Sequence, residues 1–92
     1  SEEEFFELSH DRKELIKEIS HRVTQIKILV REMTEARKVA NHLESQEEKA
    51  FAYEEKVRPY LELIRDHIDH LEMEIDDEIW PLPKYRELLF SK

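Results

Sequence analysis

The sequence predicts an all-α fold, a long antiparallel helical hairpin followed by a short C-terminal helix. None of the 92 residues is glycine, the residue that most readily forms hairpin turns, bulges and phosphate-binding loops. The composition is 39% hydrophobic and 41% charged. Apolar residues recur every three or four positions, as they do on one face of a helix. We therefore expect helices over about 10–42, 46–79 and 84–90.

The first helix is predicted to begin after Ser9, a suitable N-cap, with Asp11 in the first turn, where a carboxylate suits the helix dipole. No proline or glycine interrupts the pattern up to about residue 42, and Asn41 is suited to a left-handed C-cap. The apolar positions form one broad stripe: Leu15, Ile16, Ile19, Val23, Ile26, Leu29, Val30, Met33, Ala36, Ala40 and Leu43.

The second helix is predicted to begin at a capping box, in which Ser45 is followed three residues later by Glu48. Pro59 lies inside this helix and removes one backbone hydrogen bond. Because the apolar pattern continues in phase beyond Pro59, we expect a kink rather than a break. The second stripe comprises Ala50, Tyr53, Val57, Leu61, Ile64, Ile68, Leu71 and Ile75.

Two long helices joined by a tight loop are expected to pack antiparallel. A turn centred near residue 44 pairs positions whose numbers sum to about 89. The acidic run between Asp66 and Glu78 then lies opposite basic residues of the first helix, namely Arg12, Lys13, Lys17 and Arg22. Two helices cannot cover both stripes, so a third wall is needed from this chain or a partner, and self-association could complete a bundle.

The end of the chain is the predicted docking end. Pro81 ends the second helix, because the residue before a proline is disfavoured in the α region, and Pro83 suits the start of the short helix. Aromatic and aliphatic residues from both termini gather at the open end of such a hairpin. These predicted docking residues are Phe5, Phe6, Trp80, Leu82, Tyr85, Leu88, Leu89 and Phe90.

Composition and charge narrow the possible partners. The formal net charge of −8 disfavours binding to nucleic acid or to an anionic membrane surface. There is no cysteine, so disulfides and thiolate metal sites do not occur in these residues. No apolar run approaches the ~20 residues that span a bilayer, and a cytoplasmic location is expected. The length of 92 residues predicts one helical domain at most. Since the first residue is Ser1 rather than Met, we expect residues 1–92 to be a fragment of a larger protein.

Several His and carboxylate spacings are similar to those of metal ligands, but none of them is sufficient to predict a metal site. His67 and His70 lie one helical turn apart among carboxylates, but the sequence fixes no third ligand. Glu18 and His21 have the spacing seen in carboxylate di-metal bundles, as do Glu7 and His10. In such bundles the ligands face the core, whereas His21 lies away from the apolar stripe. We predict no catalytic, cofactor-binding or metal-binding residues here.

A remote enzymatic alternative is a small all-α mutase similar to the AroQ chorismate mutases, which have comparable length and dimerise through a long helix. Such a site needs inward-facing cations for a dicarboxylate substrate. Arg22 and Arg37 touch the edge of the first stripe. Surface arginines with partly buried stems account equally well for these positions.

The second half of the chain resembles the extreme C-terminus of type III glutamine synthetases. The resemblance covers about residues 46–90, and the first helix shares only its length and charge. The matching positions are Tyr53, Val57, Pro59, Arg65, Asp69, Leu71-Glu72, Asp76 and the ending Trp80-Pro81-x-Pro83-x-Tyr85-x-x-Leu88-Leu89-Phe90.

The resemblance implies a segment of a large, ring-shaped cytoplasmic enzyme that joins ammonia to glutamate, with ATP and divalent Mg or Mn as cofactors. The nucleotide, metal and glutamate motifs of that family have no counterpart among these residues. The segment is therefore expected to be non-catalytic and to pack against the catalytic domain of the same chain or against neighbouring subunits. The alternative is a free-standing helical protein that forms homo-oligomers.

Overall fold

A computed structural model of the chain describes the backbone of residues 1–79, and the side chains of residues 1–4 and 11–79. Helix α1 spans Glu2–Asn41, α2 spans Gln46–Ala52, a π-helical turn spans Tyr53–Val57, and α3 spans Arg58–Ile79. No strand occurs in the described part, so the all-α prediction is confirmed. The second predicted helix, 46–79, is also confirmed, because α2, the π-turn and α3 follow one another without a break. The predicted helix over 84–90 lies outside the described residues.

The predicted start of α1 is wrong. The helix begins at Glu2, eight residues earlier than expected, and Ser9 lies inside it rather than at its N-cap. The Ser1 hydroxyl accepts a hydrogen bond from the Glu4 backbone N–H at 3.3 Å, and the Glu4 carboxylate accepts one from the Ser1 amino group at 3.5 Å. This reciprocal capping box, with acidic residues in the first turn, stabilises the earlier start.

The loop between the helices lies at 42–45. The predicted cap at Ser45 is confirmed, since its hydroxyl accepts from the Glu48 backbone N–H at 3.0 Å. The predicted left-handed Asn41 is wrong, because no residue of the described part has a positive φ. Instead α1 tightens at its end, where the backbone N–H of Leu43 donates to the carbonyl of Ala40 at 3.2 Å. Such hydrogen bonds, from an N–H to the carbonyl three residues earlier, satisfy the last carbonyl groups of a helix without a glycine C-cap.

The helix continues through Pro59, and the structure accommodates the proline with a π-turn just before it. The Arg58 backbone N–H donates to the carbonyl of Tyr53, five residues earlier. A proline inside an α-helix lacks an N–H and its ring clashes with the carbonyl four residues before it. Widening the preceding turn relieves that clash, and π-bulges are a known cause of irregularity in long helices.

The two long helices pack antiparallel, as three contacts between them show. The Tyr53 hydroxyl donates to the Asn41 side-chain oxygen at 2.6 Å near the loop. Farther away, Arg22 lies 3.2 Å from the His67 ring and 3.5 Å from the Glu74 carboxylate. The numbers of Arg22 and His67 sum to the predicted 89, whereas the other two pairs sum to 94 and 96. The hairpin is therefore confirmed, with a register close to the predicted one.

The helices meet along a narrow line of side chains, which we call the seam. Seam residues alternate at steps of three and four, and they are buried or half-buried. Only Ala40, Val57 and Ile64 are buried among the described residues. The others are Leu15, Ile19, Arg22, Ile26, Leu29, Met33 and Ala36 on α1 and Leu43 in the loop, with Tyr53, Tyr60, His67, Leu71 and Glu74 opposite.

The predicted stripes are therefore wider than the seam. Ala50, which was assigned to the second stripe, is exposed. Six large aliphatic stripe residues are also exposed: Ile16, Val23, Val30, Leu61, Ile68 and Ile75. A helix presents a broad apolar side in sequence, but a single partner helix covers only the line of closest approach.

We expect Ile64→Ala to lower the free energy of unfolding by about 2–3 kcal/mol, because Ile64 is 8% exposed and its loss leaves a cavity in a small core. The neighbouring Leu63 is 52% exposed, and Leu63→Ala should change stability by no more than about 0.5 kcal/mol. Urea unfolding followed by circular dichroism compares the two variants. Equal losses would contradict the assignment of the seam.

Candidate functional site

The predicted docking residues lie outside the described side chains, so their contacts stay predictions. The backbone of Phe5 and Phe6 belongs to α1. The antiparallel arrangement places the beginning of α1 at the same end of the hairpin as Ile79, the last residue of α3. Ile79 is itself exposed. The described part therefore has an apolar side chain at the end where docking is predicted.

A polar cluster interrupts the seam between α1 and α3. Arg22 on α1 reaches across to His67 and Glu74 on α3, and it also contacts Glu18 at 3.4 Å on its own helix. The side chains of Arg22 and Glu74 are only 18% and 20% exposed. Arg22 is thus a seam residue, which the sequence had placed at the edge of the stripe. The signal was present in the spacing, since Arg22 follows Ile19 by three positions.

The cluster contains more carboxylates than its one arginine can neutralise. The pKa of Glu74 is raised above its usual range, first because the neighbouring Glu18 carboxyl favours a shared hydrogen bond with protonated Glu74, then by desolvation and by the Glu18 charge. Arg22 acts in the opposite direction. The buried Glu74 Oε2 has no hydrogen-bond partner within the described residues. A proton on Glu74 would supply the missing hydrogen between the two carboxyl groups.

The other predicted cross-helix charge pairs are not seen. In the described part, Arg22 alone makes an ion pair between the two helices. Lys17 instead contacts Glu14 on its own helix, at 3.5 Å. Exposed ion pairs contribute at most ~1 kcal/mol each, so the loss of these contacts changes the expected stability little.

The candidate metal ligands are separated by the structure. The His67 Nδ1 atom faces Arg22, whereas the His70 Nδ1 atom lies 2.9 Å from the backbone carbonyl of Asp66. Glu18, the first member of one predicted pair, faces Arg22 as well. Within the residues described, no three His, Asp or Glu side chains converge as a metal site. The side chains of Glu7 and His10 lie outside the description.

The mutase alternative requires two inward-facing cations. Arg22 does point into the seam, but its guanidinium already contacts Glu18 and Glu74. Arg37 is exposed. The two arginines therefore do not form a shared pocket for a dicarboxylate substrate.

The most extensive candidate site is apolar. The six exposed aliphatic residues of the predicted stripes form two rows, one on each helix, and within each row the spacing is seven residues. We call the surface that they form the aliphatic face: Ile16, Val23, Val30, Leu61, Ile68 and Ile75. A shallow groove runs along its α3 side. It is lined by apolar side chains and by two basic and two acidic residues: Leu61, Ile64, Ile68, Arg58, Arg65, Glu62 and Asp69. An apolar patch of this kind typically marks a packing surface.

The fold, the seam and the aliphatic face define an all-α helical hairpin with an apolar surface that its own described residues leave uncovered. No family model matches the chain. It is similar to a glutamine synthetase of Bacteroides fragilis (strain YCH46), with 83% identity over 92 residues, the whole of this chain. The match lies in the C-terminal part of that protein and spans 13% of its length.

None of the described helices has the length and hydropathy of a membrane span.

Glu74→Gln should change how stability depends on pH. The folded chain retains the Glu74 proton at pH values where the unfolded chain has lost it, so Glu74 makes folding less favourable as pH rises above the usual glutamate pKa. The variant lacks this titration. We expect its stability relative to wild type to increase with pH across that range.

Thermal unfolding at a series of pH values measures this difference. Glu18→Gln removes the first cause of the raised pKa and should also weaken the pH response. Glu35→Gln, on an exposed position of α1, is the control. Parallel pH profiles for wild type and Glu74→Gln would contradict the proposed proton sharing.

Proposed function

We propose that the chain is the non-catalytic C-terminal helical module of a type III glutamine synthetase. The observation that carries the proposal is the 83% identity to a glutamine synthetase over every residue of this chain. The chain spans only 13% of that relative. The ending Trp80-Pro81-x-Pro83-x-Tyr85 supports the type III subclass through its resemblance to that family.

In this proposal, the larger protein is a cytoplasmic ligase of nitrogen metabolism that joins ammonia to glutamate. It uses ATP and a divalent ion, Mg or Mn, in a catalytic domain outside this segment. The polar residues described here support a structural role for the segment. Arg22, His67 and Glu74 face one another across the seam, and Glu18 contacts Arg22 from the exposed side of α1.

The proposed role of the module is packing, against the catalytic domain, against neighbouring subunits, or both. Among the described side chains of the hairpin, three are buried, and so small a core supplies little stability alone. Further contacts would stabilise the hairpin. In the proposal, the docking end contributes to them through its aromatic residues, including Phe5, Phe6 and Trp80.

The second candidate is a free-standing homo-oligomeric interaction protein. The seven-residue spacing of the aliphatic rows favours it, because such spacing is typical of helices that associate side by side. Light scattering discriminates the two candidates. A chain that remains monomeric at high concentration is not a stable homo-oligomer.

We expect the 92-residue chain to form no glutamine from glutamate, ammonia and ATP. Deleting it from the synthetase should reduce assembly of the oligomer, measured by size-exclusion chromatography with light scattering. Ile64→Asp in the whole synthetase should act in the same direction, because it places a charge in the seam. Leu63→Asp is the matched control on an exposed neighbour. Turnover by the segment alone, or normal assembly after its deletion, would refute the proposal.

A further inference from the structure

The two aliphatic rows lie on one face of the hairpin. Residues seven apart lie on nearly the same side of a helix, since two turns take 7.2 residues. Each row directly follows seam positions: Ile16 and Val23 follow Leu15 and Arg22, while Ile68 follows His67. In an antiparallel pair, positions with the same offset from the seam fall on the same side. The rows therefore form one surface rather than two.

The border of the aliphatic face is basic, although the chain carries a net charge of −8. The bordering positions precede each row member by three residues, and all of them are exposed. They are Lys13, Ser20 and Lys27 on α1, with Arg58, Arg65 and Glu72 on α3. Arg58 is paired with Glu54 at 2.7 Å and with Glu62 at 3.5 Å, so the basic character of the border rests on Lys13, Lys27 and Arg65. None of the ion pairs found among the described residues involves Lys27 or Arg65.

We infer that the aliphatic face docks onto an apolar surface bordered by carboxylates, in the part of the synthetase polypeptide outside this segment. The inference rests on the proposed function and specifies which face makes the contact. Charge complementarity selects the occupant, since opposite charges around an apolar centre favour one partner and disfavour others. The available chain is long, because this segment accounts for 13% of the relative's length.

Two other occupants fit less well. A second copy placed face to face would bring Lys27 and Arg65 against a basic border of the same kind. Residues 80–92 contain Lys84, Arg86 and Lys92 but a single acid, Glu87. Like charges around an apolar contact oppose association. The carboxylate-bordered surface is the occupant with the matching charge.

The test uses the whole synthetase with a photo-cross-linking amino acid in place of Ile68. The control places it at Ile28, the same residue type with almost the same exposure, 39% against 40%. Ile28 lies five residues after Val23, about 140° further round α1 and away from the aliphatic face. We expect position 68 to cross-link at least about fivefold more than position 28, to an upstream peptide containing aliphatic and acidic residues.

A charge reversal tests the basic border. Arg65→Glu should lower the yield of this cross-link about twofold to fivefold, because one attractive contact becomes repulsive. Arg31→Glu changes charge equally at an exposed position away from the face and should leave the yield unchanged. An unchanged cross-linking yield with Arg65→Glu would contradict the proposal that carboxylates border the partner surface.

Three results overturn the choice of face or occupant. These are cross-links from position 68 to the same face of a second copy, cross-links to residues 80–92, and yields from position 68 no higher than from position 28. Each is distinct from failure of the proposed function, which would appear as normal assembly of the synthetase after deletion of the whole segment.

Discussion

Antiparallel contact between two long helices controls this structure, because each helix can bury only the line of residues nearest its partner. That line alternates in steps of three and four, and it contains Ala40, Val57 and Ile64 as its buried members. The aliphatic side chains of the aliphatic face, which lie beside this line, stay exposed. The aliphatic face, the small core and the proposed need for a covering surface all follow from this geometric limit.

The polar cluster shows how the seam can specify alignment at a cost in stability. Arg22 contacts residues on both its own helix and α3, so a shift along the seam would separate it from Glu74 and His67. A buried ion pair adds little to the free energy of folding, because the cost of desolvation offsets the attraction. Separating its two partners is unfavourable, because each charge is then buried without compensation. In this hairpin the cluster favours one register, and the apolar seam residues supply most of the attraction.

The fold class, the second helix and its cap could be predicted because each depends on local signals. Ser45 and Glu48 form a start signal within four residues, and the lack of glycine limits other folds. The start of α1 was missed because Ser1 and Ser9 are both acceptable caps, and the acidic residues after Ser1 decide between them. The exposure of Val23 and Ile68 could not be predicted. Periodicity identifies the apolar side of a helix, but it does not show how much of that side the partner helix covers. Arg22 was placed at the edge of the stripe because it is charged, although its spacing from Ile19 fits the seam.

The π-turn at Tyr53–Val57 makes the second half of the hairpin sensitive to chain length. A π-turn accommodates an additional residue, and each residue turns an α-helix by about 100°. Removing one residue from this turn would rotate α3 relative to α2. Leu61 and Ile68 would then no longer lie on the same face as Val23 and Val30, although every amino acid on α3 would be unchanged. Relatives that conserve the composition of α3 but lose one residue at this turn would therefore present a different surface to the same partner.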